Sequence, residues 1–137
     1  MKSKSPRTLL IIASIFTIVM AIPHFFVPFI FPWEQLIDGL YSPIKWALFA
    51  MNIFYSFLLL WAGVLSFICA IKPNISQSIY HWINGGIGLF WLIGAIYEII
   101  IPFPINEARW ILPCMAFFIS ILYGVSIVKY NKPQDGG

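Results

Sequence analysis

Four apolar runs, separated by connections of about a dozen residues or fewer, leave this chain few folds to choose from. The runs cover about 8–31, 44–71, 79–101 and 107–128. A helix needs roughly 20 apolar residues to cross the hydrocarbon core, and each run meets that length. In lipid the backbone must satisfy its own hydrogen bonds, which a helix does within one segment. Composition agrees: the chain is 61% hydrophobic and 9% charged, against about a quarter charged in soluble domains. The expected fold is an all-α integral membrane four-helix bundle. Its 137 residues divide into a basic head at 1–7, one transmembrane unit at 8–128 and a tail at 129–137.

The stops have local chemistry behind them. A basic start followed by an apolar run and Val19-Met20-Ala21 has the form of a secretory signal with its cleavage site. The apolar run continues past Ala21 for another ten residues, which favours a retained first span. Between the first two spans, Trp33, Leu36, Ile37 and Leu40 recur at helical spacing, with Glu34, Gln35 and Asp38 on the other side. That is the pattern of a short amphipathic turn lying in the interface, and Asp38-Gly39 terminates it. Ser42-Pro43 reads as an N-cap and first helical residue. Lys72-Pro73 ends the second span, residues 74–78 form a loop, and Pro102 and Pro104 stop the third. Asn106 is placed to cap the fourth, with Glu107 in its first turn.

Orientation follows from the cations. With the N-terminus inside, Lys2, Lys4, Arg7, Lys72, Lys129 and Lys132 are cytoplasmic, and only Lys45 and Arg109 lie outside. Both termini are then cytoplasmic, and Glu34, Asp38, Glu98 and Glu107 are outside. In a bacterial cell this would be the cytoplasmic membrane. No basic patch with interleaved aromatics exists, which excludes nucleic acid as a partner. Cys69 and Cys114 fall near opposite ends of different helices, so they are not expected to pair.

Each span carries a stripe of small or polar residues at helical spacing. The first has Ser14, Thr17, Ala21, His24 and Pro28, and the second has Asn52, Ser56, Leu59, Gly63, Ser66 and Ala70. The third has Asn84, Trp91, Gly94 and Glu98 beside Gly85, Gly88 and Ala95. The fourth has Arg109, Pro113, Ala116, Ser120 and Gly124. Small residues at such spacing let membrane helices approach closely, and polar ones cross-link them. Packing seams alone would account for most of these positions.

The outer ends ask for more. Counted at about 1.5 Å per residue, His24, Asn52, Glu98 and Arg109 fall in the outer third of the bilayer, one from each helix. Together with Trp33, Tyr55 and Trp91 they form the candidate binding set: an outward pocket roofed by the turn at 33–40. Structural alternatives stand beside this. Glu98 and Arg109 could form an ion pair, or Arg109 could snorkel to the surface. Asn52 could be interhelical glue, and His24 could bond a carbonyl freed by Pro28. Glu34, Asp38 and Glu107 read as solvated, and His81 as an interfacial anchor beside Tyr80 and Trp82.

No metalloprotease, redox-cysteine, nucleophile-elbow or P-loop motif is present. Two histidines at opposite faces cannot share a metal or haem, so no cofactor is expected. The first expectation is a binding or accessory protein holding a small amphipathic molecule (a lipid or a quinone) or a membrane-protein partner. An enzyme using His24 and Glu98 as acid–base groups is the second. A small-solute or proton transporter is the third; four spans without repeats would then work as a homo-oligomer.

With the spans and the run His24-Phe25-Phe26-Val27-Pro28-Phe29-Ile30-Phe31-Pro32-Trp33 in hand, the chain resembles the DoxX-like group of small four-helix bacterial membrane proteins. Those carry a His-Phe pair in the first span followed by prolines before the first outer loop. The glycine that usually precedes the histidine stands as Ala21 or nearby here. The resemblance implies a four-span topology. Some relatives are linked to quinone-coupled sulfur oxidation, but most have no assigned activity, so it implies no reaction.

Overall fold

A computed structural model describes residues 6–72, 74–102 and 108–130. The expectations placed on 1–5, Pro73, Pro104, Asn106, Glu107 and 131–137 lie outside these. Five helices follow in order: α1 (Pro6–Ile30), α2 (Trp33–Leu36), α3 (Ser42–Ile71), α4 (Gln77–Ile100) and α5 (Ala108–Lys129). Four of them are long and apolar enough to cross a membrane, and no strand occurs among the described residues. The single turn of α2 is the amphipathic element. Gly39 follows it with φ of 91°, a left-handed conformation that glycine adopts without a Cβ penalty.

The helix starts differ from the sequence reading. Ser42 is helical rather than a cap, since the chain enters α3 at Tyr41 with no side-chain cap bond. At α4 the cap is Ser76, whose Oγ accepts from the Ile79 N–H at 3.3 Å, so the helix begins inside the expected loop. The Tyr41 carbonyl accepts from the Ile44 and Lys45 N–H groups, and Ser76 accepts from Ile79 and Tyr80 through its hydroxyl and carbonyl, serving part of each helix's early donors. Spacing of apolar residues does not resolve which residue supplies these acceptors.

The spans run up and down. Ser126 Oγ donates to the Pro6 carbonyl at 3.0 Å, and Tyr130 OH to the Ile75 carbonyl at 3.5 Å. The start of α1, the α3–α4 connection and the end of α5 therefore share one end, the lysine-rich one. Around the bundle the order is α3, α1, α5, α4. The α1–α3 and α4–α5 pairs pack most extensively, α1–α5 joins them, and α3 and α4 touch least.

Close approach explains the tight pairs. A Cβ on Gly63 would lie 2.6 Å from Ile18 Cγ1 and 3.0 Å from the Ile18 backbone N, so α1 and α3 meet backbone to backbone. A Cβ on Gly88 would lie 3.0 Å from Tyr123 Cβ, which sets α4 against α5. The stripes of α1 and α3 are the buried faces expected. On α5 the face is displaced by one residue in its second half. Tyr123 and Ser126 are buried while Gly124 is exposed, because the larger Tyr123 hydroxyl has partners only in the interior.

Polar bonds hold the middle. Thr17 Oγ1 donates to the Ala13 carbonyl at 3.0 Å. Its single hydrogen is thereby used, so it accepts from both Trp91 Nε1 and Tyr123 OH, each at 3.1 Å. One threonine thus ties α1 to α4 and α5. Nearer the lysine-rich end, Ser66 Oγ donates to Asn84 Oδ1 at 2.8 Å, and Tyr80 stacks on Tyr130 with centroids 3.7 Å apart.

Candidate functional site

The weak α3–α4 contact leaves a cleft between those helices. Its outer part is a cavity of about 520 Å³ lined by His24 from α1, Tyr55 from α3, and Phe90, Ile93, Gly94, Tyr97 and Glu98 from α4, with Ile101 at the mouth. Deeper in the same groove lies an apolar hollow of about 130 Å³ between Leu58, Leu59 and Ala62 on α3 and Gly86, Ile87 and Phe90 on α4. Phe90 borders both. A ligand seated here would meet polar groups at one end and hydrocarbon along the rest. Tyr55, Ile93, Tyr97 and Ile101 are 40–58% exposed, so the cleft opens sideways between the two helices.

Gly94 is what keeps the cavity open on α4. A Cβ built there meets nothing within 4 Å, so the missing side chain leaves space. Opposite it, three rings from three helices line up: His24 and Tyr55 are 5.2 Å apart, and Tyr55 and Phe90 6.0 Å.

His24 is positioned by two prolines' worth of altered backbone in α1. Pro28 has no N–H to offer the carbonyl four residues back, and that carbonyl, His24's own, accepts instead from Asn52 Nδ2 at 3.0 Å. The His24 ring does not take the freed carbonyl as one sequence reading had it. Its Nδ1 bonds the Met20 carbonyl at 2.6 Å. A carbonyl only accepts, so Nδ1 carries a hydrogen; in that tautomer of a neutral imidazole Nε2 is the acceptor. No described residue pairs with Nε2. Ser56 Oγ in turn donates to the Asn52 carbonyl at 2.7 Å.

Glu98 is the other polar group. Its Oε2 is buried with no hydrogen-bond partner, and no ion pair joins it to Arg109 among the described residues. Arg109 is exposed, with its guanidinium carbon 5.6 Å from the neighbouring Trp110 ring. It does not line the cavity, which leaves the snorkelling reading and removes the hairpin clamp.

Three other expected members stand apart from the cavity. Trp91 is buried in the middle layer with its N–H spent on Thr17. Asn52 acts behind the site, holding the His24 backbone. Trp33 packs edge-on against Phe49 at 5.7 Å, and α2 does not roof the cavity. It borders a separate surface groove with Pro28 and Gln35. The two-residue break at Phe31 and Pro32 leaves α2 packed on α1, with Trp33 reaching Phe49 of α3.

Two further polar residues have local partners or surroundings, Asp38 while staying largely exposed. Asp38 Oδ1 pairs with Lys45 Nζ at 2.9 Å, and that ammonium, with the Gly39 N–H, holds the Asp38 carboxyl below its ordinary range. His81 is half-buried against Tyr80 and Tyr130, and its Nε2 is enclosed and unpartnered. Cys69 and Cys114 are both free.

Sequence reasoning passed over Phe90, Ile93 and Ile101 as lining residues. Phe90, Gly94, Tyr97 and Ile101 recur at i, i+4, i+7 and i+11, one face of a helix. The signal was there in the spacing, but only polar and small residues were followed along it. No protein-family model, curated protein or solved structure matches the chain.

Proposed function

We propose that this protein is a binding protein of the membrane, taking up a single-chain amphipathic molecule in the cleft between α3 and α4. The head sits at His24 and Glu98 and the tail runs along Leu58, Ala62 and Ile87. The observation that carries this reading is a cavity of about 520 Å³ that holds the enclosed, unpartnered Glu98 Oε2 and shares Phe90 as a wall with an apolar hollow in the same cleft. Pockets of roughly 300–1,000 Å³ with apolar walls and a few polar groups are the usual form of small-molecule sites. Sideways opening suits a ligand arriving from the bilayer. With the cation-rich end inside, the head would lie near the outer leaflet. The DoxX-like resemblance contributes topology alone and no reaction.

The test is native mass spectrometry with lipid analysis on gently purified protein, comparing wild type with Gly94→Leu and with the His24→Ala/Glu98→Gln double variant. Wild type retains a defined small molecule, and both variants fold and lose it. If folded variants keep the same molecules as wild type, the cleft is not the site.

A further inference from the structure

We infer that the head group this cleft selects is an organic ammonium, carried by an amphiphile with a single apolar chain. This rests on the proposed cleft and names the chemistry at its polar end. Glu98 brings a carboxyl into the cavity with Oε2 enclosed and unpartnered. Among the described residues no lysine or arginine lines the space, and Arg109 is exposed beside Trp110. A carboxylate withdrawn from water without a counter-charge is costly, so the site must take up either a proton or a cation.

The walls choose between them. Tyr55, Phe90 and Tyr97 border the cavity with Glu98, and the His24 ring stands 5.2 Å from Tyr55. Aromatic faces attract a cation within about 6 Å, most strongly when water is excluded, and clusters of them recognise quaternary ammonium groups. His24 adds an acceptor at Nε2 and no permanent charge. A phosphate has no partner here: the cavity holds one acid and no basic side chain of fixed charge. An alkylammonium therefore fits on both counts, and its chain continues past Phe90 into the groove between Leu58 and Gly86.

The experiment uses chain-matched probes on the full-length protein in non-ionic detergent: decyltrimethylammonium, decanol and decanoate, titrated by native mass spectrometry. Wild type binds the ammonium about thirtyfold more tightly than the alcohol, the size of one desolvated cation–aromatic contact, and does not retain decanoate. Glu98→Gln, close to isosteric, weakens ammonium binding severalfold and leaves the alcohol unchanged. Tyr97→Leu supplies a second variant, weakening the ammonium and sparing the alcohol. Competition by decylphosphocholine, matched in its single chain, distinguishes the source: displacement assigns a lipid-type choline head, and its absence assigns a free cationic amphiphile. Equal binding of ammonium and alcohol by wild type, or ammonium binding untouched by Glu98→Gln, overturns the ammonium assignment while the cleft stands. Retention of none of the three probes removes the cleft as well.

Discussion

Replacing Asn52 tests how α1 tolerates a proline near its outer end. The His24 carbonyl, deprived of its helical donor by Pro28, is satisfied by Asn52 Nδ2 at 3.0 Å. Asn52→Ala removes that donor, and an enclosed carbonyl left without a partner costs about 1–3 kcal/mol. Interhelical bonds in lipid measure lower, averaging about 0.6 and reaching about 1.7 kcal/mol. The bond should therefore fall between about 0.6 and 1.7 kcal/mol, or roughly threefold to twentyfold in the unfolding constant. Because Asn52→Ala also loses packing, the informative quantity is the coupling in a double-mutant cycle. Pro28→Ala restores an N–H at residue 28, which then serves the His24 carbonyl itself. In that background Asn52→Ala should cost less by the same amount. Reversible unfolding in mixed micelles, followed by circular dichroism for the four proteins, gives the cycle. An equal cost in both backgrounds would refute the reasoning that Asn52 serves the proline's orphaned carbonyl.

Gly63→Ala should destabilise by about 1–3 kcal/mol, the range for overpacking, because its Cβ meets the Ile18 backbone N at 3.0 Å. Gly124→Ala, where nothing lies within 4 Å, should be neutral or slightly stabilising in the same thermal melt. Thr17→Val keeps the shape and strands the Trp91 N–H and Tyr123 O–H, so it should cost about 1–3 kcal/mol, and Thr17→Ser should recover most of it. For Asp38 the folded value is depressed, so the pair with Lys45 is intact at neutral pH and is lost as pH falls through that depressed value. Lys45→Gln should return the Asp38 carboxyl titration, followed by NMR, upward toward its ordinary range. The melting temperature should hardly move, since exposed pairs contribute little.

The four-helix frame was legible because length, hydropathy and small-residue spacing all speak to the same requirement, a helix satisfied in lipid. The stripes on α1 and α3 came through for that reason, down to Gly63. The ring order was not legible, since a short connection between α3 and α4 says nothing of how closely those helices pack. It is that looseness which opens the cleft, and its lining combines His24, Tyr55 and Glu98 with Phe90, Ile93 and Ile101, which small and polar spacing does not mark. Trp91 and Tyr123 show the second limit. Both have a polar atom that must find a partner, and Thr17, three and four residues from Ser14 and Ala21, can serve two donors at once. Spacing marks Thr17 as buried without revealing that capacity. Trp33 has the right level in the membrane for the pocket, but its ring packs on Phe49 of α3 instead of lining the cavity.

The central claim is the place of binding, and photolabelling addresses it most directly. Protein in lipid nanodiscs would be exposed to a decyltrimethylammonium analogue carrying a diazirine in its chain, irradiated, and the adducts located by peptide mass spectrometry. Adducts should concentrate on Leu58, Ala62, Ile87 and Phe90 and fall away in Gly94→Leu. Labelling spread over outward residues such as Phe29 and Trp82, unchanged by Gly94→Leu, would contradict a binding site between α3 and α4.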